Sequence, residues 1–180
     1  KTGIFLNEAK TNSIAVIASG FFHRQDGFYG LKTYLGQQGN FFGNVMYQGI
    51  IDNTNHNIVT GATLMYDKYD ETVNGEKFER QFIVPGVFGE YTYNYLDKFT
   101  LVAGVKLDIP DQFTPQFNPR LHLKYAPGKG ATIRVSAGRG FRIPNVYAEN
   151  SFVFASSRHW MIEEKPTYEV AWNSGISYMQ

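Results

Sequence analysis

Between Phe99 and Asp108 the side chains alternate. Phe99, Leu101, Ala103, Val105 and Leu107 fall to one side, and Thr100, Gly104, Lys106 and Asp108 to the other, with Val102 the exception. A period of two means a strand with one apolar and one polar face. The neighbouring segments repeat it. Leu121, Leu123 and Tyr125 oppose Arg120, His122 and Lys124, and Ala131, Ile133, Val135 and Ala137 oppose Thr132, Arg134, Ser136 and Gly138. Tyr168, Val170, Trp172, Ile176 and Tyr178 oppose Glu169, Asn173 and Ser177, while Ile83, Val87, Tyr91, Tyr93 and Tyr95 oppose Glu90, Thr92 and Asn94. The pattern predicts about nine strands, near 3–8, 13–24, 41–51, 57–69, 80–95, 99–108, 118–126, 131–140 and 167–179. No segment carries the helical period, and β-branched, aromatic and glycine residues fill the runs.

The connections alternate in length. Short ones fall at Ala9–Asn12, Asp52–His56, Leu96–Lys98 and Pro127–Gly130, and long ones at Gln25–Asn40, Asp70–Glu79, Ile109–Phe117 and Phe141–Pro166. Tight turns at one end and long loops at the other describe an all-β antiparallel up-and-down meander. Transmembrane barrels have that asymmetry, and their strands need ~9–11 tilted residues to cross. A soluble antiparallel sandwich also alternates, but its apolar face is aliphatic and points inward. Here Tyr47, Tyr66, Tyr91, Tyr95, Tyr125, Tyr168 and Tyr178 sit near strand ends on the apolar side. Such positions suit interfacial girdles, with the ring in hydrocarbon and the hydroxyl at the headgroups.

Composition sharpens this choice. Charged residues make up 18% of the 180 residues and aromatics 16%. That charge content lies below the roughly 25% of an average soluble domain. Mean hydropathy is −0.31, and no apolar run approaches the ~18 residues of a membrane helix. The net charge of +1 argues against a nucleic-acid partner. The chain has no cysteine, which excludes disulfides, thiolate zinc sites and a cysteine nucleophile. Lys1–Asn7 does not open as a signal peptide, which suits a cytoplasmic protein or an interior piece of a longer one; the second is the expectation carried forward.

With the apolar face outward, the inward face carries Glu90, Lys106, Asp108, Arg120, His122, Lys124, Arg134, Arg142 and Glu169. Both signs are present, so these residues form a ladder of cross-strand pairs or meet whatever fills the barrel. Arg142 either contacts that filling or pairs with a carboxylate such as Glu169, and Pro144 stops its strand. Aromatics in long outer loops suit a ring-bearing or apolar ligand. Candidates are Phe152, Phe154, His159 and Trp160 in one loop, and Phe28, Tyr29 and Tyr34 in another. The alternative for each is packing of the loop on its neighbours. Asp67, Asp70 and Glu71, with Asn74 and Glu76, offer oxygen ligands for Ca²⁺, though at no EF-hand spacing. A solvated acidic loop is the simpler reading.

Catalytic signatures are lacking. His23, His56, His122 and His159 form no zinc-binding pair. Ala126-Pro127-Gly128-Lys129-Gly130 lacks the hydroxyl residue of a phosphate loop and reads as a hairpin turn. No Gly-x-Ser-x-Gly elbow occurs. Neither an enzyme nor a cofactor is expected.

Five segments in order carry a family likeness. They are Gly86-Val87-Phe88-Gly89-Glu90-Tyr91-Thr92-Tyr93, Val105-Lys106-Leu107-Asp108, Asn118-Pro119-Arg120-Leu121, Gly138-Arg139-Gly140-Phe141-Arg142-Ile143-Pro144 and Tyr168-Glu169-Val170-Ala171-Trp172-Asn173. Together they resemble the β-barrel of a TonB-dependent outer-membrane receptor. Ala148-Glu149-Asn150 and Ala155-Ser156-Ser157-Arg158 are similar to Bacteroidetes-type members.

The resemblance implies a segment of a barrel of ~22 strands, filled by a separate plug domain. It also implies import of bulky scarce nutrients, such as siderophore-bound iron or cobalamin, driven by the TonB complex of the inner membrane. Residues 1–180 are then one barrel segment, without the plug, the TonB-contacting N-terminal part or the terminal strands. An open nine-strand sheet leaves two bare edges that lipid cannot satisfy, which supports that expectation. The competing reading is a soluble β-sandwich binding or adhesion module that takes carbohydrate through its aromatics.

Overall fold

The computed structural model describes residues 1–96, 98–128, 130–156 and 167–180. One antiparallel sheet runs β1 (Thr2–Phe5), β2 (Ser13–Tyr29), β3 (Lys32–Ile50), β4 (His56–Val73), β5 (Glu76–Tyr95), β6 (Phe99–Asp108), β7 (Gln116–Gly128), β8 (Ala131–Arg142) and β9 (Glu169–Met179). Spatial order equals chain order, so every strand pairs with its sequence neighbours in an open meander. A short helix α1 (Val146–Glu149) and a 3₁₀ turn (Ser151–Ala155) lie between β8 and β9.

Two of the expected long loops are not loops. Pairing of β2 with β3 continues to Tyr29↔Lys32, and pairing of β4 with β5 to Val73↔Glu76. Each hairpin closes in two residues. Asn74 and Gly75 have φ of 50° and 89°, the two positive values of a type I′ turn. Gly30 has φ 66° at the first central position of the other turn, where a type II′ turn requires glycine.

Register separates the two faces. Val45, Ala62, Val87 and Leu107 form one continuous row on the apolar face, as do Ala103, Leu121 and Ala137. Nothing covers this face among the described residues: Val105 is 40% exposed, Leu121 42%, Trp172 69% and Ile176 79%. Glycines aside, the buried residues of the strands, Tyr34, Thr63, Glu71, Phe82, Val84, Asp108 and Gln116, all fall on the polar face by register. That inverts a soluble sandwich, whose apolar faces pack together.

The apolar face also marks where the strands leave hydrocarbon. On β4 the outward residues run Ile58, Thr60, Ala62, Leu64 and Tyr66, then become Lys68 and Asp70. The change falls in the same row on β5, where Ile83 gives way to Gln81, Glu79 and Lys77, and one pair further along on β2, where Phe22, in the row of Lys68, gives way to Arg24 and Asp26. Ion pairs Arg24–Asp26 at 3.1 Å and Lys68–Asp70 at 3.0 Å lie beyond this line. The stretch from Ile58 to Tyr66 suits the ~9–11 residues of a tilted crossing. The two long hairpins therefore project past the apolar band. Tyr47, Tyr91, Tyr93 and Tyr125 border the band at its short-turn end. Tyr168 does not join them: it precedes β9, shares a 3.2 Å hydrogen bond with the Thr114 hydroxyl, and meets the Phe113 ring edge-on.

Two prolines inside strands stand where a missing donor costs no ladder bond. The Pro85 carbonyl accepts from Ile109 N at 2.8 Å, so its absent N–H faces β6, where regular pairing has ended at Gly86↔Asp108. Ala126 N bonds back to Lys98 on the β6 side, so by alternation Pro119 directs its absent N–H toward β8. Pairing of β7 with β8 ends one residue earlier, at Arg120↔Gly138.

Candidate functional site

All nine expected inward residues, Glu90, Lys106, Asp108, Arg120, His122, Lys124, Arg134, Arg142 and Glu169, share the polar face. Most of the charged ones are joined in pairs. Arg120 on β7 reaches Glu90 on β5 across the intervening strand. It can do so because Gly104 lies between them in register and has no side chain. Lys106 Nζ stands 2.6 Å from Asp108 Oδ1, and Asn118 donates to the other carboxylate oxygen at 3.0 Å. Asp108 packs over Gly86, where a Cβ would fall 2.6 Å from its Oδ1 and 2.9 Å from Thr63 Oγ1.

Arg139 belongs by register to the apolar face, opposite Trp172. Its guanidinium nevertheless donates to the Phe117 carbonyl at 2.7 Å, Asn118 Oδ1 at 3.0 Å and Gln116 Oε1 at 2.9 Å. Phe117 faces β8 by the same alternation as Pro119, so the ladder's end leaves its carbonyl to Arg139. Sequence alternation alone misses this residue; the Asn-Pro-Arg break is the signal that points to it.

A cavity of about 470 Å³ opens on this face. Phe42, Met65, Phe82 and Val84 form its apolar wall, with Lys106, Asp108 and Arg142 around it. Arg142 binds Glu169 at 2.7 Å through Nε and Glu149 at 2.9 Å through Nη2. Glu149 also accepts from Asn145 N at 2.9 Å. That backbone hydrogen bond, with Arg142 beside it, holds the Glu149 carboxyl below the usual range.

Above the apolar band, residues 143–156 fold back onto the polar side of the hairpins. Arg80 is the fastener. It binds Glu71 at 2.7 Å, Asn145 Oδ1 at 2.6 Å and the Pro144 carbonyl at 3.3 Å. Tyr34 donates to the buried Glu71 at 2.8 Å. Phe154 lies 5.6 Å from Tyr34 and 5.5 Å from Tyr29, and Tyr147 packs on Phe78 at 4.5 Å. Burial, then the Glu71 carboxylate, raises the Tyr34 phenol, and burial pushes Tyr147 up to about 12.

The expected loop ligands therefore divide. Tyr34 and Phe154 are buried in this cluster, 5% and 4% exposed, with Tyr29 beside them. Phe152, 72% exposed, stays outside the cluster, whereas Phe28, 82% exposed, falls by register on the outward side with Arg24 and Asp26. His159 and Trp160 lie outside the described residues. Strand geometry divides the carboxylates considered for Ca²⁺ between the two faces. Asp67 and Glu71 fall on the polar face, bonded to Asn40 and Arg80, while Asp70 points to the other face and pairs with Lys68. No cluster of metal-ligating residues occurs among the described residues.

The family model for TonB dependent receptor-like β-barrels matches residues 4–171. The chain belongs to the TonB-dependent receptor β-barrel family. This is a family of outer-membrane proteins, so the uncovered apolar face of this receptor segment has its natural solvent in lipid. Solved receptors share the fold. The alcaligin outer-membrane receptor FauA from Bordetella pertussis superposes with a TM-score of 0.59 at 12% identity, covering 74% of this chain and 27% of that one. FpvA from P. aeruginosa, bound to a heterologous pyoverdine and iron, gives 0.58 at 10% identity, covering 78% and 26%. The copper transporter OprC gives 0.56 at 13%, covering 76% and 28%. The chain spans about a quarter of the length of these structures. No curated protein matches it.

Proposed function

We propose that this chain is a stretch of wall in an energised outer-membrane transporter for a bulky, scarce nutrient. Siderophore-bound iron and cobalamin are the leading cargo classes. The observation that carries the reading is the inverted sheet: exposed apolar side chains on one face, and paired charges with a cavity on the other. In a closed barrel the polar face lines the lumen. The row of Glu90, Lys106, Asp108, Arg120, His122, Lys124, Arg134, Arg142 and Glu169 then faces a plug domain, and TonB acts through an N-terminal part beyond these residues. The projecting hairpins and residues 143–156 line the outer mouth, where Phe152 offers its ring to the cargo. The wall does no covalent chemistry, and no cofactor is needed.

The test is uptake by cells that carry or lack the intact receptor, given a panel of labelled ferric siderophores and cobalamin. Accumulation of one cargo should depend on the receptor and collapse with a protonophore. Identical accumulation of every cargo in the two strains would contradict the proposal.

A further inference from the structure

We propose that Lys124 and Arg134 form an anion site on the inner wall that receives a side-chain carboxylate from the polypeptide filling the barrel. The proposal rests on the lumenal reading above. Lys124 on β7 and Arg134 on β8 stand directly opposite each other. Like charges so placed, with Cβ atoms ~4.5–5.5 Å apart, repel one another. Thr100 flanks Lys124 on β6, and Ser177 flanks Arg134 on β9, so the row reads hydroxyl, cation, cation, hydroxyl across four strands. The next row adds His122 and Ser136, and ends at Gly175, which leaves space. These residues line a cavity of about 350 Å³, and no carboxylate lines it.

The rest of the polar face sets the contrast. Among the described residues, Arg80, Lys106, Arg120 and Arg142 each meet a carboxylate. Lys32 meets the Ser156 carbonyl, and Arg139, turned inward, meets the Phe117 carbonyl. Among the described residues of the strands, Lys124 and Arg134 are the two cations of this face without an acidic or carbonyl partner. Glu90, two rows further along this face, is already engaged by Arg120. A carboxylate supplies what is missing. Its two oxygens accept from the planar guanidinium fork while the mobile ammonium closes from the side, and the hydroxyls donate to the remaining lone pairs.

Zero-length carbodiimide coupling in the intact receptor, held in its outer membrane, tests this. The reagent joins a lysine amine to a carboxylate only when the two are in contact. An amide between Lys124 and an Asp or Glu peptide of the lumen-filling segment is expected. It should be lost in Lys124→Arg and weakened severalfold in Arg134→Gln. Lys106 and Asp108, in contact on the same face, are the internal control. If that pair couples while Lys124 stays free, the site is overturned and the lumenal reading stands. Protection of Lys124 from acylation by added inorganic phosphate, without coupling, would assign the cavity to a free oxyanion and overturn the carboxylate. A polar face whose lysines resist every aqueous reagent, Lys106 included, would overturn the lumenal reading and the site with it.

Discussion

Arg120 binds Glu90 over the top of Gly104, two strands away rather than one. The missing side chain is what permits it. A Cβ at Gly104 would meet Arg120 Nε at 3.2 Å and Cγ at 3.3 Å. Gly104→Val should push the guanidinium aside and lower barrel stability by about 1–2 kcal/mol. Glu90→Gln should cost no more than ~1 kcal/mol, because Arg120 is mostly exposed and exposed ion pairs are weak. Urea unfolding in lipid bilayers measures both, and a valine no worse than the glutamine would refute the steric account.

Gly86 should be less tolerant than Gly89. A methyl at Gly86 meets the buried Asp108 and Thr63, whereas one at Gly89 meets nothing within 4 Å. Gly86→Ala is expected to destabilise by about 1–3 kcal/mol, as overpacking does, and Gly89→Ala to lie within about 0.5 kcal/mol of the parent. The same unfolding assay reads the difference.

Neighbours on β7 should respond oppositely to charge. Leu121 points to the apolar face and His122 to the polar one. Leu121→Arg should cost about 2–4 kcal/mol near the bilayer midplane, while His122→Arg should change folding little. Equal costs would mean the faces are wrongly assigned.

Alkali should release residues 143–156 before it unfolds the strands. Burial raises the phenols of Tyr34 and Tyr147, the latter to about 12, against an ordinary value of about 10. A raised folded value means the stabilisation is complete below the unfolded value and is lost as pH climbs through the folded one. Proteolysis within 143–156 should therefore accelerate from about pH 10 toward 12 and not at neutral pH. Arg80→Ala, which leaves Glu71 buried without its cation, should produce the same release at pH 7.

The strand count, the meander and the charged face were legible in the sequence because a period of two survives wherever one face meets lipid and the other does not. Strand β6 shows this, with bounds of 99–108 in both pattern and structure. The hairpin tips were not. Beyond Tyr66 the apolar signal stops, since the outward face of the hairpin meets water and its other face packs against residues 143–156, and the acidic run obscured the Asn74-Gly75 turn. The burial of Tyr34 against Phe154 joins residues 120 positions apart, which no local pattern encodes. The inward turn of Arg139 follows from a ladder that ends beside Pro119, and strict alternation assigns it to the wrong face.

Trp172 offers the most direct check on which face meets hydrocarbon. It lies on the apolar face, 69% exposed, and Trp160 is the chain's other tryptophan. In the intact receptor carrying Trp172 as its sole tryptophan, phospholipids brominated along the acyl chain should strongly quench its emission, and aqueous iodide should not. Emission quenched by iodide and untouched by brominated lipid would place that side of the sheet in water and contradict the account.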